Sequence, residues 1–311
     1  MSGTPPEAAR KLGLVINRTA GTVRRLGHGT VERAFQDALG DRLVALKSGK
    51  GRDMDSMVAD VRRAGAEIIL PIGGDGTCTA IIEQARREGF IASALPGGTK
   101  NILAKRLWGD DTSLEEIAAI IGDGRTRVRQ MDAGEANGRL FFVGASFGMI
   151  PHLARARERL RGRAEPSGLW AALRHVGRLG RRGLFAPRVA VTAPDIDSFR
   201  CAALMVSVKS IDEMLFRAGE KDDPASFDCA AASPEGWSGL TWLALRASFT
   251  DTWRDEEKVR TFNVPELSVD GRSPMITALD GEAIALPGPV KLTMLQNAIP
   301  LLGRADQSGT P

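Results

Sequence analysis

Gly73-Gly74-Asp75-Gly76-Thr77 sets three glycines around one carboxylate, between an apolar run at 68–72 and a helix-like stretch at 77–87. Glycine allows positive φ and lets a ligand come within contact distance of the main chain. The start of the following helix offers unpaired N–H groups and the positive end of a dipole. Together these suit an anion, phosphate above all. Asp75 does not bind phosphate directly, because two anions repel. Its place in the loop makes sense with a divalent cation between them, so the run suggests a metal-nucleotide or polyphosphate site.

Two more turns have the same character. Asn17-Arg18-Thr19-Ala20-Gly21 follows the first apolar run, and Leu95-Pro96-Gly97-Gly98-Thr99-Lys100-Asn101 leads from a strand into a helix. One glycine turn after a strand is usually only a turn, but three at equivalent strand ends point to one site. The phosphate loop G-x-x-x-x-G-K-[ST] and the G-x-G-x-x-G fingerprint are both absent. Far downstream stands Asp280-Gly281-Glu282. Asp-Gly is a common hairpin turn. It also displays two carboxylates, one able to accept a proton from a hydroxyl nucleophile and one able to orient a metal or its waters.

The elements that must position these residues alternate through the first ~130 residues. Strand-like runs at 12–17, 43–46, 67–72 and 91–95 are separated by helical stretches at 30–39, 53–64 and 77–88, with further helices at 99–107 and 113–121. Met54, Met57, Val58 and Val61 follow i, i+3, i+4, i+7 spacing. Such a βαβα order predicts a mostly parallel sheet covered by helices, with ligands beyond the carboxyl ends of the strands. After about Met131 the order changes to short runs separated by Gly, Pro, Asp and Ser: 140–143, 188–192, 201–208, 227–232, 240–247, 258–264, 274–278, 283–286 and 290–295. These predict an antiparallel sandwich or barrel. A basic helical insertion is expected at about 152–182.

Length and composition bound the rest. A chain of 311 residues is long for one core, so two domains are expected. With 43% hydrophobic and 26% charged residues it is an ordinary globular sequence. Three cysteines, Cys78, Cys201 and Cys229, have neither metal-ligand spacing nor a disulfide framework, which fits a reducing, cytoplasmic setting. No apolar run approaches the ~18 residues of a membrane span, and the N-terminus lacks a signal-peptide core. Residues 152–188 hold ten arginines against two glutamates, a charge of +8, while all other residues sum to −4 of the net +4. Such a segment is either a solvated face or a surface for an anionic partner. Without interleaved aromatics or a reading motif, nucleic acid is not expected.

Asn-x-x-Ala-Gly, Gly-Gly-Asp-Gly-Thr, Pro-Gly-Gly-Thr-x-Asn-x-Leu-Ala and Asp-Gly-Glu, in this order, resemble the diacylglycerol kinase catalytic family, which includes bacterial lipid kinases and sphingosine kinases. The likeness runs from about Leu12 to Leu302. It implies an α/β nucleotide-binding domain with an NAD kinase/phosphofructokinase-like parallel sheet at 1–131, rejoined by a segment at about 296–311. A β-sandwich lipid-substrate domain at 132–295 would follow. It implies ATP and magnesium, with Gly73, Gly74, Gly76, Thr77, Thr99 and Asn101 holding phosphates and Asn17 and Gly21 lining the same mouth. Ser48 stands where the family has a nucleotide-contacting threonine. Asp75, Asp132 and Glu282 correspond to carboxylates that organise magnesium and its waters, and Asp280 to the proposed general base. Lys100 is a further candidate for the phosphates. The implied acceptor is the hydroxyl of a diacylglycerol-like or sphingoid lipid at a membrane surface. The enzyme would then be peripheral to the membrane, with anionic lipid met by residues 152–188. Association as a homodimer is compatible with the sequence.

The chain departs from the family in two places. Ile102 stands where many bacterial members have aspartate, and Asp222-Asp223-Pro224-Ala225-Ser226-Phe227-Asp228 is a loose echo of a second metal-binding loop. These departures leave open a non-catalytic lipid- or nucleotide-binding module of the same fold. An NAD kinase-like enzyme shares Gly-Gly-Asp-Gly-Thr, but its Asn-Glu pair and Gly-x-Leu-Gly-Phe segment are absent.

Overall fold

The computed structural model describes residues 10–152, 188–209, 225–233 and 259–305. The chain forms two compact units, Met1–Met131 with Asn297–Pro311, and Asp132–Gln296. Most of the basic segment at 152–188, the strand expected at 240–247 and residues 222–224 of the acidic loop lie outside the described residues.

In the first unit, β1 (Leu12–Asn17) is buried along its whole length. It pairs in parallel with β2 (Leu43–Gly49) on one side and β3 (Ile68–Gly73) on the other. Two short strands, β4 (Ile91–Ala92) and β5 (Leu95–Pro96), follow one another alongside β3, both parallel to it. On the far side of β4, Leu301 of the chain's last strand pairs in parallel with Ala92. The segment expected as one strand at 91–95 is thus split between two. Ser93 lies between them, buried, and donates its hydroxyl to the carbonyl of Leu302 at 2.8 Å.

The helices are α1 (Gly21–Leu26), α2 (His28–Leu39), α3 (Met54–Arg63), α4 (Asp75–Glu88), α5 (Ile102–Trp108) and α6 (Leu114–Gly122). The apolar stripe of α3, Met54, Met57, Val58 and Val61, is buried. This helix packs on β1 and β2, and each such side chain contributes about 1.5–3 kcal/mol relative to exposure. Ser113 caps α6: its hydroxyl accepts from the Glu116 amide at 3.2 Å, and the Glu116 carboxylate accepts from the Ser113 amide at 2.8 Å. Two helices differ from expectation. The stretch expected to begin at Thr30 starts at His28 and is preceded by α1. The helix expected from Thr99 starts only at Ile102, because Asn101 takes a left-handed conformation with φ 51°.

Antiparallel strands build the second unit, and the first and last of them extend into residues of the first unit. They are β6 (Thr126–Ala136), β7 (Arg139–Phe141), β8 (Gly144–Gly148), β9 (Val189–Ala193), β10 (Ile196–Cys201), β11 (Ala203–Ser207), β12 (Phe227–Ala232), β13 (Val259–Val264), β14 (Glu266–Asp270), β15 (Met275–Leu279), β16 (Glu282–Leu286) and β17 (Val290–Arg304). Within this unit, one layer runs β10-β9-β14-β17 and the other β13-β12-β11-β8-β15-β16. Phe141, Phe147, Leu204, Phe227, Val269 and Leu292 belong to one buried cluster drawn from strands of both layers, the expected sandwich. β6 has no counterpart among the expected strands. Its residues, TRVRQMDAGEA, interleave charge with small side chains and give little apolar signal.

Candidate active site

The carboxyl ends of the first unit's strands bring three glycine turns together. The tightest contact is between the second and third. The Gly97 amide donates to the Gly73 carbonyl at 2.9 Å. A Cβ on Gly97 would stand 2.7–2.8 Å from the Gly73 backbone, and one on Gly98 would stand 2.8 Å from the Gly74 Cα. A Cβ on Gly73 would meet the Thr77 side chain at 2.7 Å. Positive φ plays no part, since none of Gly73, Gly74, Gly76, Gly97 and Gly98 adopts it. Gly97 and Gly98 serve close approach of one main chain to another, and Gly73 makes room for the Thr77 side chain. Gly21 differs: a Cβ there would meet nothing within 4 Å.

The first turn joins the same cluster. The Thr22 amide donates to the Gly97 carbonyl at 2.9 Å. The buried Asn17 donates its Nδ2 to Thr77 Oγ1 at 3.1 Å, while its Oδ1 accepts from the Thr19 amide and hydroxyl at 3.0 and 2.6 Å. The Arg18 amide donates to the Gly49 carbonyl at 2.8 Å, and its Nε to Ser48 Oγ at 2.7 Å. Asn17, Ser48, Gly73, Gly74, Thr77 and Asn101 are thereby gathered with their neighbours Gly21, Gly76 and Thr99. Thr22 was not anticipated from sequence; α1 is too short for its periodicity to stand out.

At the head of α4, Cys78 donates the first intrahelical bond, to the Gly74 carbonyl at 3.1 Å. The amides of Asp75, Gly76 and Thr77 precede it and have no intrahelical acceptor, and no side chain caps this end. They form the donor set that an anion would use. Asp75 Oδ1 accepts from the Ile102 amide at 2.7 Å. Its other oxygen has no hydrogen-bond partner among the described residues. Asn101 closes the third turn on itself: its Oδ1 accepts from the Gly98 amide at 2.7 Å and its Nδ2 donates to the Gly98 carbonyl at 3.0 Å. Thr99 and Lys100 are exposed in this turn, ahead of the helix.

Beneath the loop lies Cys78, 3% exposed, with its thiol toward the carbonyls of Pro71, Gly73 and Leu95. Burial, and next the negative charge of Asp75, push its pKa up to about 12. It is a packing residue at neutral pH.

Asp132, Asp280 and Glu282 belong to the second unit. Asp132 is half-buried on β6. Asp280 and Gly281 are the two loop residues of the β15–β16 hairpin, with φ 49° and 79°, and Leu279 pairs with Glu282 across it. Positive φ at both central residues is the type I′ turn that Asp-Gly favours. The Asp280 carboxylate accepts three amides: Phe142 at 2.8 Å, Val143 at 2.8 Å and Gly144 at 3.0 Å. Its own amide donates to the Gly144 carbonyl at 2.9 Å. Three of about four lone-pair sites on this carboxylate are therefore engaged by backbone. Glu282 is exposed.

Among the described residues, no group of three or more His, Cys, Asp or Glu is gathered closely enough to hold a metal ion. Asp75, with one oxygen anchored and one available beside open amides, fits a different arrangement. Magnesium is commonly held through one or two carboxylates, substrate phosphates and water rather than by an all-protein cage.

The first unit is thus a parallel α/β sheet whose glycine-rich strand ends, open helix N-terminus and single carboxylate lie together. Residues 11–136 match the family model of the diacylglycerol kinase catalytic domain. Three solved structures from Bacillus anthracis str. Sterne resemble 94% of this chain. A candidate diacylglycerol kinase is 16% identical, with a TM-score of 0.62 over 94% of both chains. Another is 16% identical, with a TM-score of 0.63 over 94% of this chain and 96% of its own. A diacylglycerol kinase is 14% identical, with a TM-score of 0.60 over 94% and 96%. At such identities the likeness is one of fold.

Proposed function

We propose that this protein is an ATP- and magnesium-dependent kinase that phosphorylates a hydroxyl of a diacylglycerol-like or sphingoid lipid. The observation that carries this reading is the open first turn of α4, with Asp75 beside it, inside residues that match the diacylglycerol kinase catalytic domain. Phosphoryl transfer depends on positioning and charge stabilisation more than on covalent chemistry. The amides of Asp75, Gly76 and Thr77 bind phosphate oxygens, and Thr99 and Asn101 flank them. Asp75 would hold magnesium, with Asp132 and Glu282 as further candidates, and the ion would supply positive charge to offset the phosphates.

In the reaction, the lipid oxygen forms a bond to the γ-phosphorus as the bond to the departing ADP breaks. The hydroxyl proton passes to a carboxylate of the 280–282 turn. Asp280 fills the base position in the resemblance. A proton taken up there competes with the three amides that already occupy its oxygens.

No helix among the described residues is long and apolar enough to cross a membrane. We assign lipid access to peripheral contact, with the arginines of 152–188 facing anionic headgroups. Equal binding to neutral and anionic vesicles would remove that electrostatic contribution.

Radiolabelled ATP with magnesium, offered with diacylglycerol, ceramide, sphingosine, polyprenol and NAD in turn, tests the activity. Transfer to a lipid is expected. Labelling of NAD alone would move the chain to NAD kinase-like chemistry. Binding of ATP without transfer to any acceptor would favour a non-catalytic module.

A further inference from the structure

We infer that Asn17 is a positioning residue that fixes the Thr77 hydroxyl as a hydrogen-bond donor to the bound polyphosphate. This rests on the nucleotide reading given above and goes beyond it by separating the residue that touches the ligand from the one that aims it.

The inference follows from donor and acceptor identities. The Thr19 amide can only donate, and its bond at 3.0 Å fixes the atom it meets as Asn17 Oδ1. The other end of the side chain is therefore Nδ2, which can only donate. It faces Thr77 Oγ1 at 3.1 Å, so that oxygen is the acceptor. The Thr77 hydroxyl proton must then point away from Asn17. It has no acceptor among the described residues. The hydroxyl belongs to the first turn of α4, the same turn whose amides have no intrahelical acceptor.

Packing fixes the geometry. Asn17 is 7% exposed, and a Cβ on Gly73 would run into Thr77 Cβ and Cγ2 at 2.7 and 2.8 Å, so the threonine fills the space that the glycine leaves. A hydroxyl held this way donates to an anionic oxygen without first giving up a protein partner. Asn17 accepts from Thr19 through Oδ1 and uses one of its two Nδ2 protons on Thr77.

Calorimetric titration of the full chain with Mg-ATP tests this in a double-variant cycle of wild type, N17D, T77V and N17D/T77V. N17D keeps an acceptor for both Thr19 bonds. It turns the atom facing Thr77 from donor into acceptor, so the threonine proton rotates toward position 17. Binding is expected to weaken about tenfold or more in N17D and in T77V. In the T77V background the N17D penalty should shrink at least about threefold, leaving only the added charge. T77S, which keeps the hydroxyl, should bind within about threefold of wild type.

Wild-type affinity in N17D, or an N17D penalty of the same size with and without the Thr77 hydroxyl, would overturn the inference and leave the nucleotide reading standing. A wild-type chain that binds no Mg-ATP would remove both. Should N17D melt below the assay temperature, T77S against T77V decides, and equal affinities for the two would overturn the inference.

Discussion

Asp75 Oδ1 accepts the backbone amide of Ile102 at 2.7 Å, so the carboxylate of the second glycine turn is tied to the first residue of α5. The side chain at 102 is apolar where many bacterial relatives of the family have an acid, yet the position still serves the acidic residue through its main chain. An amide does this work whatever side chain it carries. Replacing Asp75 by Asn keeps an acceptor for Ile102 and removes the charge. D75N is expected to hold the fold within about 1–2 kcal/mol and to lose the magnesium-dependent part of ATP affinity. Titrations with and without magnesium check this, and an unchanged magnesium effect would exclude Asp75 from metal binding.

Gly97 and Gly21 separate structural from ligand-facing glycines. A Cβ at 97 would overlap the Gly73 backbone, and the two turns cannot part without breaking the 2.9 Å bond between them. G97A should destabilise the protein by roughly 2–4 kcal/mol in chemical denaturation. G21A meets open space and should change stability by no more than about 0.5 kcal/mol. A loss of ATP affinity in G21A with an unchanged melting curve would mark position 21 as ligand-facing.

The Asp280 carboxylate closes the β15–β16 hairpin onto residues 142–144 through three amides. D280A leaves those donors without their acceptor and should cost about 3 kcal/mol or more. D280N keeps one oxygen and should cost less. Hydrogen exchange at Phe142, Val143 and Gly144 should accelerate in D280A. Unchanged protection there would show that the carboxylate does not hold this junction. Kinetic loss in D280A must therefore be weighed against its fold.

Cys78 and Cys201 are both raised to about 12 by burial. A raised thiol pKa means the protonated, unreactive form persists as pH climbs. At pH 8 the thiolate fraction is about one in ten thousand for each, since four pH units separate the two values. Neither should react with a disulfide reagent in the native protein, and both should react after denaturation. Rapid native labelling of Cys78 would show that the floor of the glycine loop opens.

Local pattern determined much of this protein. Strand and helix order in the first 131 residues, the antiparallel character of the rest, and the glycine turns at strand ends all follow from periodicity and turn chemistry, which act over a few residues. The Asp280-Gly281 turn was equally legible, because only certain residues accept two consecutive positive φ values. β6 was not legible, since charged side chains on a half-exposed strand blur the alternation. The late start of α5 was hidden because the left-handed conformation of Asn101 goes with the closed turn onto Gly98.

Tertiary structure alone decided how the glycines and polar side chains are used. Positive φ and close approach of a ligand were the expected reasons for the glycines of the second and third turns; positive φ is absent, and Gly97 and Gly98 pack against main chain 24 residues away. Asn17 aims at Thr77 from 60 residues away, and Asp280 reaches amides 136–138 residues away. A hydrogen bond depends on donor, acceptor and distance in space, and sequence spacing carries no trace of the last.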